Sequence, residues 1–126
     1  MERDRAAGEA TPARADATPL RQLAPDDPAA PAAIAALLGA TAGEAPFRYR
    51  GTPVHRLTLE RAVGGPLRLD LWPALRRVDV AWGDSFAVFT GIEAVQFVPG
   101  VEVIFRRATP PGFLTVTVAG AVLIKA

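Results

Sequence analysis

The sequence contains no cysteine and no asparagine, and it has a single histidine, His55, and a single lysine, Lys125. Without cysteine, a disulfide framework, a thiolate zinc site and a cysteine nucleophile are all excluded. Without asparagine there is no acceptor for an N-linked glycan. One histidine leaves only carboxylate-dominated metal sites, and the acidic residues show no cluster at ligand spacing, so no cofactor or metal is expected. No apolar run approaches the roughly 20 residues that a membrane-spanning helix needs. The opening MERDRAAGEATPARADATPL lacks the apolar core of a signal peptide and carries acids that a mitochondrial presequence avoids. The expected setting is the cytoplasm of a bacterium, since the Ala, Arg, Gly and Pro bias is that of a GC-rich coding sequence. The same bias lowers the weight of any arginine count.

What is present fits one domain: 126 residues can bury a real core if most of the chain takes part. The net charge of +1 is unevenly spread. Residues 1–45 hold four arginines against seven acids, a net of −3, and residues 46–126 hold nine arginines and one lysine against six acids, a net of +4. An acidic tail can screen a mildly basic body. Residues 1–26 are rich in Ala, Pro, Thr and charge with few large apolar side chains, and are expected to be a disordered tail. Residues 27–45 are read as a short amphipathic helix and linker. Asp27 is its N-cap, Pro28 its first helical position and Gly39 its stop, with Ile34, Leu37 and Leu38 on one face. So short a helix needs a surface to dock on.

From Phe47 the apolar period changes to two. Leu57 and Leu59, then Leu67, Leu69 and Leu71, then Val78, Val80 and Trp82 alternate with Arg56, Glu60, Arg68, Asp70, Arg77 and Asp79. The turn signals between strands are short, which suits antiparallel neighbours rather than parallel crossovers. Residues 46–126 are thus expected to form a mainly β domain, a small antiparallel meander barrel or sandwich of about 7–8 strands. The charged parity reads as a solvated face laced by cross-strand ion pairs.

The stretch SFAVFTGIEAVQFVPGVEVIF, residues 85–105, is apolar on both parities, as is the ending Val122 to Ile124. Strands buried on both faces read this way. Two explanations compete. The second face is covered by the helix and by a subunit or partner, through Phe86, Phe89, Phe97, Ile104, Leu123 and Ile124. Alternatively, Gly91 and Gly100 mark flips that send both parities into one core. The first predicts a folded monomer when Phe89 and Ile104 are both made serine.

Candidates for chemistry are few. His55, Ser85 and one of Asp70, Asp79 or Asp84 make a hydrolytic triad only on paper, since no nucleophile-elbow sequence surrounds Ser85. No phosphate-cradling loop is present either. The function expected is therefore non-catalytic: a protein-interaction or assembly module that associates with itself or a protein partner through a two-sided apolar sheet. The alternative is a weak binder of single-stranded nucleic acid, using Arg48, Tyr49, Arg50, Trp72, Arg76 and Arg77. Against it stand the near-neutral charge and the interleaved acids. In the interaction-module reading, Phe47 and Tyr49 are simply inward residues of the first strand.

Overall fold

The period-two alternation becomes a run of eight consecutive antiparallel strands, beginning at Thr52. The computed structural model describes residues 21–43, 47–61 and 64–125. Among these the meander comprises β4 (Thr52–Leu59), β5 (Leu67–Trp72), β6 (Arg77–Trp82), β7 (Ser85–Phe89), β8 (Ala94–Val98), β9 (Glu102–Arg107), β10 (Gly112–Thr117) and β11 (Val122–Lys125). It is preceded by β1 (Arg21–Leu23), α1 (Ala30–Leu38), β2 (Thr41–Ala42) and β3 (Phe47–Tyr49).

The strands form two antiparallel sheets. Sheet A has the order β1-β8-β9-β10-β11, and sheet B the order β2-β4-β5-β6-β7 with β3 also paired to β4. This is a sandwich and not a closed barrel. The break falls between β7 and β8, where the link of residues 90–93 carries the chain from one sheet to the other. Gly91, at φ +72°, makes the bend, and Ile92 beside it is buried in the core. That crossing accounts for part of the two-sided reading, and the rest is Phe86 and Val88 on the outer side of β7 and Ile104 on the outer side of β9. Phe89 faces the interior from sheet B, while Val95, Phe97, Val103 and Phe105 face the same interior from sheet A. Leu57, Leu59, Leu67, Leu69, Leu71, Val78, Val80, Leu114 and Val116 belong to the same core. Each such side chain contributes about 1.5–3 kcal/mol on burial.

The helix differs from its expected bounds. It starts at Ala30, with Ala29 in the capping position and Pro31 in the first turn, where its missing N–H is no loss. The Asp27 carboxylate is used one step earlier, accepting from the Ala29 N–H at 2.8 Å. That bond closes an Asx turn two residues ahead of the capping position, and no side chain caps the first helical N–H groups. Gly39 ends it in the left-handed conformation, at φ +69°. The helix packs against β8 and β9 of sheet A and against β2 and β4 of sheet B, so Ile34, Ala35 and Leu38 enter the shared core. It does not cover the outer face of the later strands, contrary to expectation.

Two further expectations are corrected. Residues 21–23 of the expected tail form β1, where Leu23 lies opposite Val95, and residues 1–20 lie outside the described residues. Phe89 and Phe97, taken from parity as surface for a partner, are 2 % and 3 % exposed and belong to the core. Serine at Phe89 would therefore unfold the chain rather than free a monomer. No helix among the described residues is long and apolar enough to cross a membrane.

Candidate binding site

The outer face of sheet B carries the most organised polar chemistry of the molecule. Its rows are set by the strand register: Arg56 lies opposite Asp70, Asp70 opposite Asp79, and Trp72 opposite Arg77. Two aspartates facing each other across neighbouring strands would destabilise a sheet. Here each is neutralised by a guanidinium. Arg56 donates from Nε to Asp70 Oδ1 at 2.8 Å and from Nη2 to Oδ2 at 3.0 Å. Arg77 donates from Nε to Asp79 Oδ1 at 2.7 Å and from Nη2 to Oδ2 at 2.9 Å. The Trp72 indole N–H adds a third bond to Asp79, at 3.1 Å to Oδ2. Arg68 approaches Asp70 at 3.6 Å. Both aspartates are buried. The hydrogen bonds to Asp70 and Asp79 hold the Arg56 and Arg77 pKa values above the ordinary guanidinium value, against a smaller opposing effect of burial.

Aromatic rings stand on these fixed guanidiniums. Arg77 Cζ lies 4.6 Å from the Trp72 ring centroid and Arg56 Cζ 4.9 Å from that of Phe47. Tyr49 meets Trp72 edge to face, with centroids 5.8 Å apart and planes at 77°. Phe47 and Tyr49 come from β3, which turns into β4 through Arg50 and Gly51, both at positive φ (51° and 85°). That two-residue turn matches the twist of its strands, and Arg48 clamps it by donating to the Gly51 carbonyl at 2.7 Å. Because Phe47 pairs with Val54 and Tyr49 with Thr52, both rings take the outer parity. They are 39 % and 52 % exposed, so the expectation that they point inward is overturned. Val54 beneath them is fully buried on this outer face.

Proline after Trp72 ends β5 and starts a single 3-10 turn over Pro73–Leu75, which brings the exposed Leu75 over the site. The result is a cleft of about 490 Å³ lined by Phe47, Tyr49, Arg50, Arg56, Trp72 and Arg77, with Thr52, Asp70 and Leu75 at its margins. Of the six residues suggested for polyanion binding, Tyr49, Arg50, Trp72 and Arg77 meet here. Arg48 is held by the turn, and Arg76, in a left-handed conformation at φ 49°, donates to the Ile92 carbonyl at 3.3 Å. Arg56 and Leu75 were missed, and Phe47 was read as an inward residue of the first strand. The signal that could have found Arg56 is its parity with Arg68 and Asp70.

The suggested apolar surface is not one surface. Phe86, Leu123 and Ile124 are exposed, but they lie on β7 and β11, edge strands of different sheets. Ile104 is 8 % exposed on the outer face of sheet A, between Gln96 and Thr115 in the register. Arg106 donates to Gln96, and Gln96 to Gln22 at 3.0 Å, closing a polar roof beside it.

The triad drawn on paper is not assembled. His55 lies in register with Phe89, four residues along β7 from Ser85 and across the intervening β5 and β6. Both carboxylates of Asp70 and Asp79 are engaged by arginine. Among the described residues, no group of three or more His, Asp or Glu is placed to hold a metal ion. No protein-family model matches the chain, and comparison with curated proteins and with solved structures returns no match.

Proposed function

We propose that the protein is a non-catalytic protein-interaction module of the bacterial cytoplasm, and that the arginine–aromatic cleft of sheet B is where it holds a partner. One observation carries this reading: exposed Phe47 and half-buried Trp72 stand on guanidiniums that buried carboxylates in turn hold, and exposed Tyr49 meets the Trp72 ring edge to face. Tyrosine, tryptophan and arginine in a concave, pre-ordered setting are the side chains that dominate protein interfaces. Their ordering entropy is already spent on folding, so more of the contact energy is available for binding. The neutral Arg–Asp array suits an apolar or aromatic side chain entering the cleft, and Arg50 at the rim suits a carboxylate next to it.

Selection of a displayed peptide library on the full chain tests this reading. The expected ligands combine an aromatic residue or proline with a neighbouring acid, and bind Tyr49→Ala about tenfold or more weakly. Ligands indifferent to Tyr49→Ala would place recognition elsewhere. A second reading, single-stranded nucleic acid, is favoured by the exposed rings of Phe47 and Tyr49 as stacking platforms. Titration with oligothymidylate at two salt concentrations separates the two. Affinity that falls steeply with salt supports nucleic acid, because phosphate contacts release counterions.

A further inference from the structure

Among the described strands, the outer edge of β7 differs from the other sheet edges. β1 includes Arg21, β3 Arg48 and β11 Lys125, whereas β2 is two residues long. Charges and short length are the usual guards against pairing at an edge. β7 reads SFAVF, with neither charge nor proline, and leaves Phe86 59 % and Val88 46 % exposed.

Its backbone polarity follows from the hairpin. Trp82 and Ser85 flank the two-residue turn Gly83–Asp84, with Gly83 at φ +54°. Residues flanking such a turn exchange both main-chain hydrogen bonds, and bonded pairs then alternate along the ladder. Ser85, Ala87 and Phe89 thus turn their N–H and C=O towards β6. Phe86 and Val88 turn theirs outward, and among the described residues β7 pairs with no strand but β6.

We propose that β7 pairs antiparallel with β7 of a second copy about a two-fold axis through Ala87. In this register Phe86 of one copy lies opposite Val88 of the other, as a hydrogen-bonded pair, and the reverse holds on the far side of the axis. The outward donors and acceptors satisfy one another, and both exposed apolar side chains gain an aromatic–β-branched neighbour. A strand whose outward pair is Phe and Val, symmetric about alanine, is complementary to itself, which selects a second copy over an unrelated strand. The joined sheet runs β4-β5-β6-β7 into β7-β6-β5-β4. Both outer faces lie on one side, so the two clefts share a surface. This pairing does not rest on what the clefts bind.

The pairing is tested by light scattering after size exclusion on the full chain over a range of loading concentrations, with two variants. The wild type is expected to rise towards twice the chain mass of 13.3 kDa. Val88→Pro removes an outward N–H without touching the β6 ladder, and is expected to stay at 13.3 kDa at every loading. Ala87→Cys introduces the only thiol of the chain. Its two copies would face each other in a non-hydrogen-bonded pair about 4.5 Å apart at Cα, within the span of a disulfide. Oxidation is expected to link it into a dimer several-fold more completely than Ser85→Cys, whose two copies would be about 14 Å apart. A wild type that is monomeric at every loading overturns the proposal, as does a dimer that survives Val88→Pro. Should Val88→Pro fail to fold, crosslinking of Ala87→Cys no better than Ser85→Cys overturns it alone. Peptide binding at the cleft that persists in monomeric Val88→Pro keeps the two readings separate.

Discussion

The outer faces of the two sheets solve the same problem with different chemistry. Each must cap a layer of backbone with side chains that tolerate water. Sheet A does so around an amide network with no buried carboxylate among its described residues: Gln22, Gln96 and Thr115 flank Ile104, and Arg106 reaches across to Gln96 and over the Phe113 ring. Sheet B buries two carboxylates side by side and ties each to an arginine and, at Asp79, to an indole. An amide network can lose a member and rehydrate. A buried carboxylate that anchors two donors cannot be lost without stranding both. The comparison teaches that only the second arrangement holds its exposed rings in fixed positions.

The largest expected effect breaks the charged face. Asp79→Ala strands the Arg77 guanidinium and the Trp72 N–H, and should lower stability by about 2–3 kcal/mol, less than for a fully buried pair because Arg77 is partly solvated. Urea unfolding followed by tryptophan fluorescence measures it. The same variant should loosen the Tyr49–Trp72 contact and weaken ligand capture at the cleft. A loss well under 1 kcal/mol would mean that the two faces are equivalent and the array is ornamental.

A pH series sharpens the contrast further. The Arg77 pKa is raised, chiefly by its hydrogen bonds to Asp79. A cation whose pKa rises on folding contributes its full stabilisation below its unfolded value, and loses it only as pH climbs through the folded value. For a guanidinium that window lies in strong alkali. The stability difference between the wild type and Arg77→Ala should therefore stay flat from neutral pH into mild alkali. A difference that shrinks in that range would show that the charge of Arg77 is not what holds Asp79.

Much of the fold was legible because parity is a local property. Leu57, Leu69 and Val80 alternate with charge, and alternation alone places them inward. The sheet switch at Gly91 was legible only as an ambiguity. Continuous apolar parity is the same signal whether the second face meets a partner or the chain changes sheets, and the Gly91 bend decides between them only in three dimensions. The cleft was legible in part. Trp72 and Arg77 announce themselves by type, but the outward turn of Phe47 and Tyr49 depends on how β3 registers against Val54. No periodicity within three residues encodes a register. The aspartates read as ordinary solvated charge, because sequence shows alternation but not the rings and arginines that bury them.

The smallest effect is expected on the amide-bearing face of sheet A, and it carries the comparison's other half. Gln96→Ala removes the acceptor of Arg106 and the donor to Gln22, and uncovers one flank of Ile104. All three polar groups are near solvent, so water replaces the lost bonds, and only a little apolar area is newly wetted. A loss of about 0.5 kcal/mol is expected from urea unfolding. If it instead matched Asp79→Ala, the roof over Ile104 would be as rigid as the arginine array, and rigidity could no longer single out sheet B as the recognition face. If it stays small, the two sheets differ as their chemistry implies: one face sheds water adequately with groups that move, and the other fixes its rings with charges that cannot.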